Sequence, residues 1–113
     1  MHEMSIVQAL VEQCEDLAKA NEATQITKVS IKVGVMSGVE PDLLQTAFDT
    51  FKEGTICSKA ILDIKIQVLK VFCPMCNEEF ALDQGSYDCP KCHSFEVSLT
   101  EGKDMMLMQL EMQ

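Results

Sequence analysis

Two cysteine pairs place the tightest limit on how this chain folds. Cys73-Pro74-Met75-Cys76 and Cys89-Pro90-Lys91-Cys92 flank an intervening stretch, residues 77–88, that is long enough for a hairpin. A Cys-x-x-Cys turn lets both of its sulfurs reach one ion, and two such turns complete a tetrahedron, the arrangement Zn²⁺ takes in closed structural sites. Residues 73–92 carry too few apolar side chains to fold without such a clip. Cys73, Cys76, Cys89 and Cys92 are therefore expected to hold one zinc. The residue after the second cysteine of such a turn often needs positive φ, and Asn77 and His93 tolerate that region better than most types. Four protein ligands leave no position open for water, so this zinc is structural and not catalytic. His93 stands beside it, as a hydrogen-bond partner for a sulfur, a substitute ligand, or a plain solvent-facing turn residue.

The remaining cysteines, Cys14 and Cys57, lie outside the cluster, and Cys14 falls on the apolar stripe of a helix, where free cysteine behaves as a small hydrophobe. The start Met1-His2-Glu3-Met4 lacks the basic-then-apolar pattern of a signal peptide, and no run approaches the roughly 20 apolar residues of a membrane span. The expected location is cytoplasmic. In that reducing compartment clustered cysteines bind metal rather than form disulfides.

Apolar residues recur at helical spacing through Val7, Leu10, Val11, Cys14, Leu17 and Ala18, which predicts an amphipathic helix from Met4 to about Ala20. Val29, Ile31, Val33 and Val35 then alternate with Lys28, Ser30 and Lys32, the period of a half-buried strand, with Gly34 as a candidate bulge. Glu40-Pro41-Asp42 opens a second helix running to about Phe51 or Glu53, its buried face formed by Leu44, Ala47, Phe48 and Phe51, with Gly54 as a stop. A second strand places Leu62, Ile64, Ile66 and Val68 inward and leads directly into Phe72-Cys73. After the cysteines, residues 95–100 read as a short strand, residues 101–104 as a turn, and Met106, Met108, Leu110 and Met112 as the inward side of a last strand, with methionine as core filler rather than copper ligand.

The predicted class is α+β: a three-stranded sheet with two helices on one face, plus an inserted four-cysteine zinc module. The domains are then a discontinuous one, residues 1–70 and 104–113, and the module, residues 71–103.

A zinc module of this kind also suits a nucleic-acid-binding ribbon, but a net charge of −9 and the absence of a Lys/Arg cluster repel phosphates. A single iron in the four cysteines is a further reading, separable by colour. No nucleophile–base pairing or phosphate-binding glycine loop suggests an enzyme. At the amino terminus, the free amine of Met1, the His2 imidazole and deprotonated backbone amides supply nitrogen donors in a plane, the geometry Ni²⁺ or Cu²⁺ favours. The positive end of the first helix opposes a bare cation there. Glu3 is adjacent, and Glu40 approaches if the two helices lie side by side.

Met1-His2-Glu3, the order helix, strand, helix, strand, the two Cys-Pro-x-Cys pairs, and the stretches Ser5-Ile6-Val7 and Ala47-Phe48-Asp49-Thr50-Phe51 together resemble the HypA/HybF family of hydrogenase maturation nickel metallochaperones. The resemblance spans the chain. It implies a carrier, not an enzyme, whose cargo is Ni²⁺, bound through the His2 side chain, the Met1 amine and the backbone nitrogens of His2 and Glu3, with Glu40 near the nickel on weaker grounds. It also implies structural zinc in the inserted module. The implied partners are a GTPase of nickel insertion, the large subunit of [NiFe]-hydrogenase and, in some organisms, urease accessory proteins, with no nucleic acid and no membrane. Some relatives place a histidine after each zinc pair; here only His93 does so, and Asn77 takes the other position.

Overall fold

The alternating segment becomes β1 (Ile26–Gly34), the central strand of a three-stranded sheet, in a computed structural model that describes residues 2–82 and 87–113 and leaves the side chain of His2 outside that description. Its neighbours are β2 (Ile61–Gln67), parallel to it, and β6 (Met105–Met112), antiparallel to it. Parallel strands need a crossover, here α2 (Pro41–Phe51); α1 (His2–Ala20) precedes β1. Both helices bury their stripes against one face of this sheet. Val7, Leu10, Val11, Cys14 and Ala18 from α1 and Leu44 and Phe48 from α2 close over Ile26, Val29, Ile31, Val33 and Leu62. Lys28, Ser30 and Lys32 point to the other face, as period-2 alternation requires.

A second three-stranded sheet was not foreseen. It is built from β3 (Leu69–Cys73), β4 (Glu78–Leu82) and β5 (Ser98–Glu101), in the order β4-β3-β5 with both pairings antiparallel. Val68 alone separates β2 from β3, so the polypeptide changes sheets at one residue. Residues 95–97, expected in a strand, precede β5.

Four further expectations need correction. The first helix begins at His2, two residues before Met4. Gly34 is no bulge: β1 carries its extra residue at Thr27, between Ile26 and Lys28. A Cβ on Gly34 would lie 2.3 Å from the carbonyl oxygen of Gly102, so glycine is needed there for backbone contact. The first sheet is fastened to the 102–104 turn at that point, with Gly34 N–H donating to Asp104 O at 3.0 Å and Met36 N–H to Gly102 O at 2.9 Å. Val35 lies past the end of β1 and is exposed.

The third correction concerns β6. Ser30 pairs with Gln109 but Ile31 pairs with Leu107, which makes Met108 an extra residue. A bulge shifts the two-residue phase, so the core-facing set is Met105, Leu107, Leu110 and Met112, while Met106 and Met108 are 54% and 48% exposed. The fourth concerns β2. Leu62 is buried and Ile64 packs on the core, but Ile66 and Val68 are exposed. Ile66 lines an open cleft with Pro41, the first residue of α2.

Candidate metal centre

β3 delivers Cys73 at its last residue, and the tight turn into β4 pairs Cys73 with Glu78 and brings Cys76 back over the strand end. The turn closes through Asn77 at φ 53°; His93, at φ 63°, plays the same part after Cys92. Both left-handed positions were expected from residue type. The second turn is tied internally, with Cys89 N–H donating to Ser94 O and His93 N–H to Cys89 O, each at 2.9 Å. Lys91 reaches across from it to Glu78 at 3.3 Å.

All four sulfurs lie within 4.8 Å of one another. Across the two turns, Cys73 and Cys92 are 3.6 Å apart and Cys76 and Cys89 3.8 Å. A tetrahedron with Zn–S of about 2.3 Å has edges of about 3.8 Å, so the cluster is sized for a four-thiolate ion. Its electrostatics ask for a cation. Burial raises the Cys76 thiol, and hydrogen bonds to Cys92, Cys89 and Cys73 add to this, pushing it up to about 12. Burial also acts to raise Cys89, but N–H groups of Cys92 and Lys91 and the neighbouring sulfurs of Cys92 and Cys73 bring it down to about 6. Cys76 and Cys89 are thus pushed in opposite directions; one divalent ion in their midst would favour the thiolate form of its ligands. The His93 ring is turned to Asp88, Nδ1 to Oδ2 at 3.1 Å, and not to a sulfur.

At the other end of the chain, Met1 and the His2 imidazole, two of the expected nickel donors, lie outside the described residues. The His2 and Glu3 backbones form the first turn of α1. Glu40 sits at the N-cap of α2 in extended backbone, with no side-chain cap of its own. Its N–H donates to Glu3 Oε2 at 3.4 Å. The Glu3 carboxyl is held below the usual range by its own backbone N–H first, and also by that of Glu40. The structure thus joins Glu3 and Glu40 and sets the starts of both helices side by side. Glu3 and Glu40 were both expected near the amino terminus as negative charge; the direct contact of the Glu3 carboxylate with the Glu40 N–H was not. The signal for that contact was an acidic residue opening one helix in a chain whose second helix opens without a capping side chain.

The chain is similar to known proteins over nearly its whole length. The family model described as "Hydrogenase/urease nickel incorporation, metallochaperone, hypA" matches residues 1–112. The chain is 58% identical over 113 residues to a hydrogenase maturation factor HypA of Shewanella baltica (strain OS195), covering all of this chain and 97% of that protein. It is similar to the solution structure of the Ni metallochaperone HypA from Helicobacter pylori, with TM-score 0.73, 38% identity and 97% and 96% of the two chains covered. A second solution structure of a HypA protein gives TM-score 0.78 at 39% identity, covering 100% of this chain and 97% of that one.

Proposed function

Because the chain belongs to the HypA family of hydrogenase and urease nickel-incorporation metallochaperones, a family of maturation factors and not of enzymes, we propose that it carries Ni²⁺ on Met1, His2 and Glu3. In this reading the donors are the Met1 amine, the His2 imidazole and the backbone nitrogens of His2 and Glu3. Cys73, Cys76, Cys89 and Cys92 hold a structural Zn²⁺ in a module of residues 71–103, while residues 1–70 and 104–113 form the nickel-carrying domain.

The observation that carries the nickel reading is that α1 reaches His2. The first four N–H groups of a helix have no intrahelical partner, so the amides of His2 and Glu3 can lose their protons to a metal without breaking the helix ladder. Adjacent backbone nitrogens on one ion close a five-membered ring whose torsion is ψ, which must lie near zero. Helical ψ, about −42°, is far closer to this than a strand's, about +135°. Deprotonated amides are anions, and the positive ends of α1 and α2 converge on them. The same field that opposes a bare cation favours this ligand set. Glu40 supplies further negative charge nearby.

A site made from three consecutive residues encloses its ion little, which suits cargo that must leave by ligand exchange. Hydrogenase-related partners follow from the family. More finely, the acceptor is the large subunit of [NiFe]-hydrogenase, reached with a GTPase of nickel insertion, and urease accessory proteins are a second outlet. Among the described residues no helix is long and apolar enough to cross a membrane. None of the six cysteines is in a disulfide, which suits the cytoplasm.

Nickel and zinc analysis of protein with its native start, beside His2→Ala, tests the assignment. Nickel binding should fall at least about tenfold in the variant, as loss of an imidazole ligand requires, while one zinc per chain remains. Equal nickel binding by the two proteins would remove His2 from the site.

A further inference from the structure

The six thiols differ sharply in their access to solvent. Cys14 and Cys57 are fully buried in the main core, where they hydrogen-bond to each other. Within the metal cluster Cys73 and Cys89 are buried and Cys76 is half-buried, whereas Cys92 is exposed. The Cys89 sulfur is also sheathed by two N–H donors, from Lys91 and Cys92, each at 3.4 Å. The thiolate, not the thiol, is the nucleophile towards oxidants, and its reactivity follows exposure. Cys92 is therefore the most exposed cysteine of the cluster, and its sulfur lies 3.6 Å from that of Cys73.

We propose that Cys92 is an oxidation site: its thiolate attacks hydrogen peroxide, Cys73 closes a Cys73–Cys92 disulfide, and the module releases its zinc. The inference rests on the zinc reading given above. In the first step Cys92–S⁻ displaces hydroxide from H₂O₂; the S–O bond forms, the O–O bond breaks, and Cys92 becomes a sulfenic acid. In the second, Cys73–S⁻ attacks that sulfur, the S–S bond forms and a second hydroxide leaves. Two thiolates have given two electrons, and one peroxide has become two hydroxide ions.

The consequence is confined to the module. Two of four ligands are spent in one event, and Val71, Cys73, Leu82 and Cys89 are its only buried hydrophobic residues among those described. The module opens, while the first sheet keeps a core to which no cluster cysteine contributes. Oxidation thus separates the zinc module from a nickel end that remains folded.

The test uses zinc-loaded full-length protein. Hydrogen peroxide is added at one equivalent, zinc release is followed with a chromogenic chelator, and cysteines are mapped by differential alkylation and mass spectrometry. One Cys73–Cys92 disulfide should form for each zinc released, with Cys14 and Cys57 still reduced. A first disulfide between Cys76 and Cys89, or oxidation of Cys14 and Cys57 at the same rate, would overturn the proposal. Cys92→His keeps a fourth ligand but removes the sulfur, and should slow peroxide-driven zinc loss by about tenfold or more. If that variant fails to hold zinc, the map of the unaltered protein still decides. Protein isolated without zinc under reducing conditions would sink the zinc assignment, while the order in which its cysteines oxidise would still judge this one.

Discussion

The two sheets are held together by different means. The first is closed by a core of fourteen buried residues, among those described, drawn from both helices, from β1 and β2 and, through Cys57 and Ala60, from the connection between α2 and β2; Phe48 and Leu44 are the largest contributions from α2. Among the described residues the second has Val71 and Leu82 as its buried hydrophobic side chains apart from two cysteines. At about 1.5–3 kcal/mol for each fully buried aliphatic or aromatic side chain, that is too little to order a hairpin and a third strand. The difference teaches that the first unit folds by burial and the second by its four sulfurs. On the zinc reading, one chain is expected to contain a part that survives metal loss and a part that does not.

Removing zinc should break the comparison most completely. A structural four-thiolate zinc contributes on the order of 10 kcal/mol or more to folding of its module. A strong chelator under reducing conditions should erase the hydrogen-exchange protection of β3, β4 and β5 and leave that of α1, β1 and α2 in place. Simultaneous loss of protection in both sheets would show that the two share one cooperative unit, joined where Gly34 meets Gly102.

Phe48→Ala sharpens the contrast from the other side. Phe48 is fully buried at the centre of the first core, and truncating such a residue costs about 3–5 kcal/mol. Thermal unfolding should move to markedly lower temperature while the folded fraction still binds one zinc per chain. A variant that loses zinc in step with helix content would contradict the separation.

How much of this was legible in the sequence depends on how far apart the determining residues stand. The cysteine turns are local: Cys73 to Cys76 and Cys89 to Cys92 fix their own geometry, and even the positive φ of Asn77 and His93 could be expected. The stripes of α1 and α2 and the alternation of β1 are equally local. What failed was set by pairing. The phase of β6 changes at Met108 because of its register on β1, and nothing in Met105–Met112 taken alone announces it. Gly34 was noticed, but its reason is the backbone of Gly102, a contact between distant residues. The second sheet was missed because β2 and β3 read as one apolar alternation, and only their partners divide them at Val68. The proposed nickel end was the least legible. His2 is a single residue without a spacing, and only its place in Met1-His2-Glu3, set beside the rest of the chain, gave it meaning.

The smallest expected effect lies at that end and concerns Glu3. Its carboxyl is held below the ordinary value of 4.5, chiefly by its own backbone N–H and also by that of Glu40. A group whose folded value is lowered contributes stability above its unfolded value and loses it as pH falls through the folded one. The Glu3–Glu40 contact should thus be intact at neutral pH and weaken only in acid. Nickel-free protein is the right sample, since imidazole and amine donors would take up protons near pH 6.5–8, well before the carboxylate does. An amide titration from about pH 7 to about pH 3 should show the Glu40 N–H shifting with a midpoint below 4.5. Glu3→Gln should abolish that titration without disturbing the amides of β3 or β4, because the exposed contact bears on the starts of the helices alone. A Glu40 midpoint at or above 4.5 would mean that the two helix starts are not joined through this carboxylate, and the field converging on the His2 and Glu3 amides would then come from α1 alone.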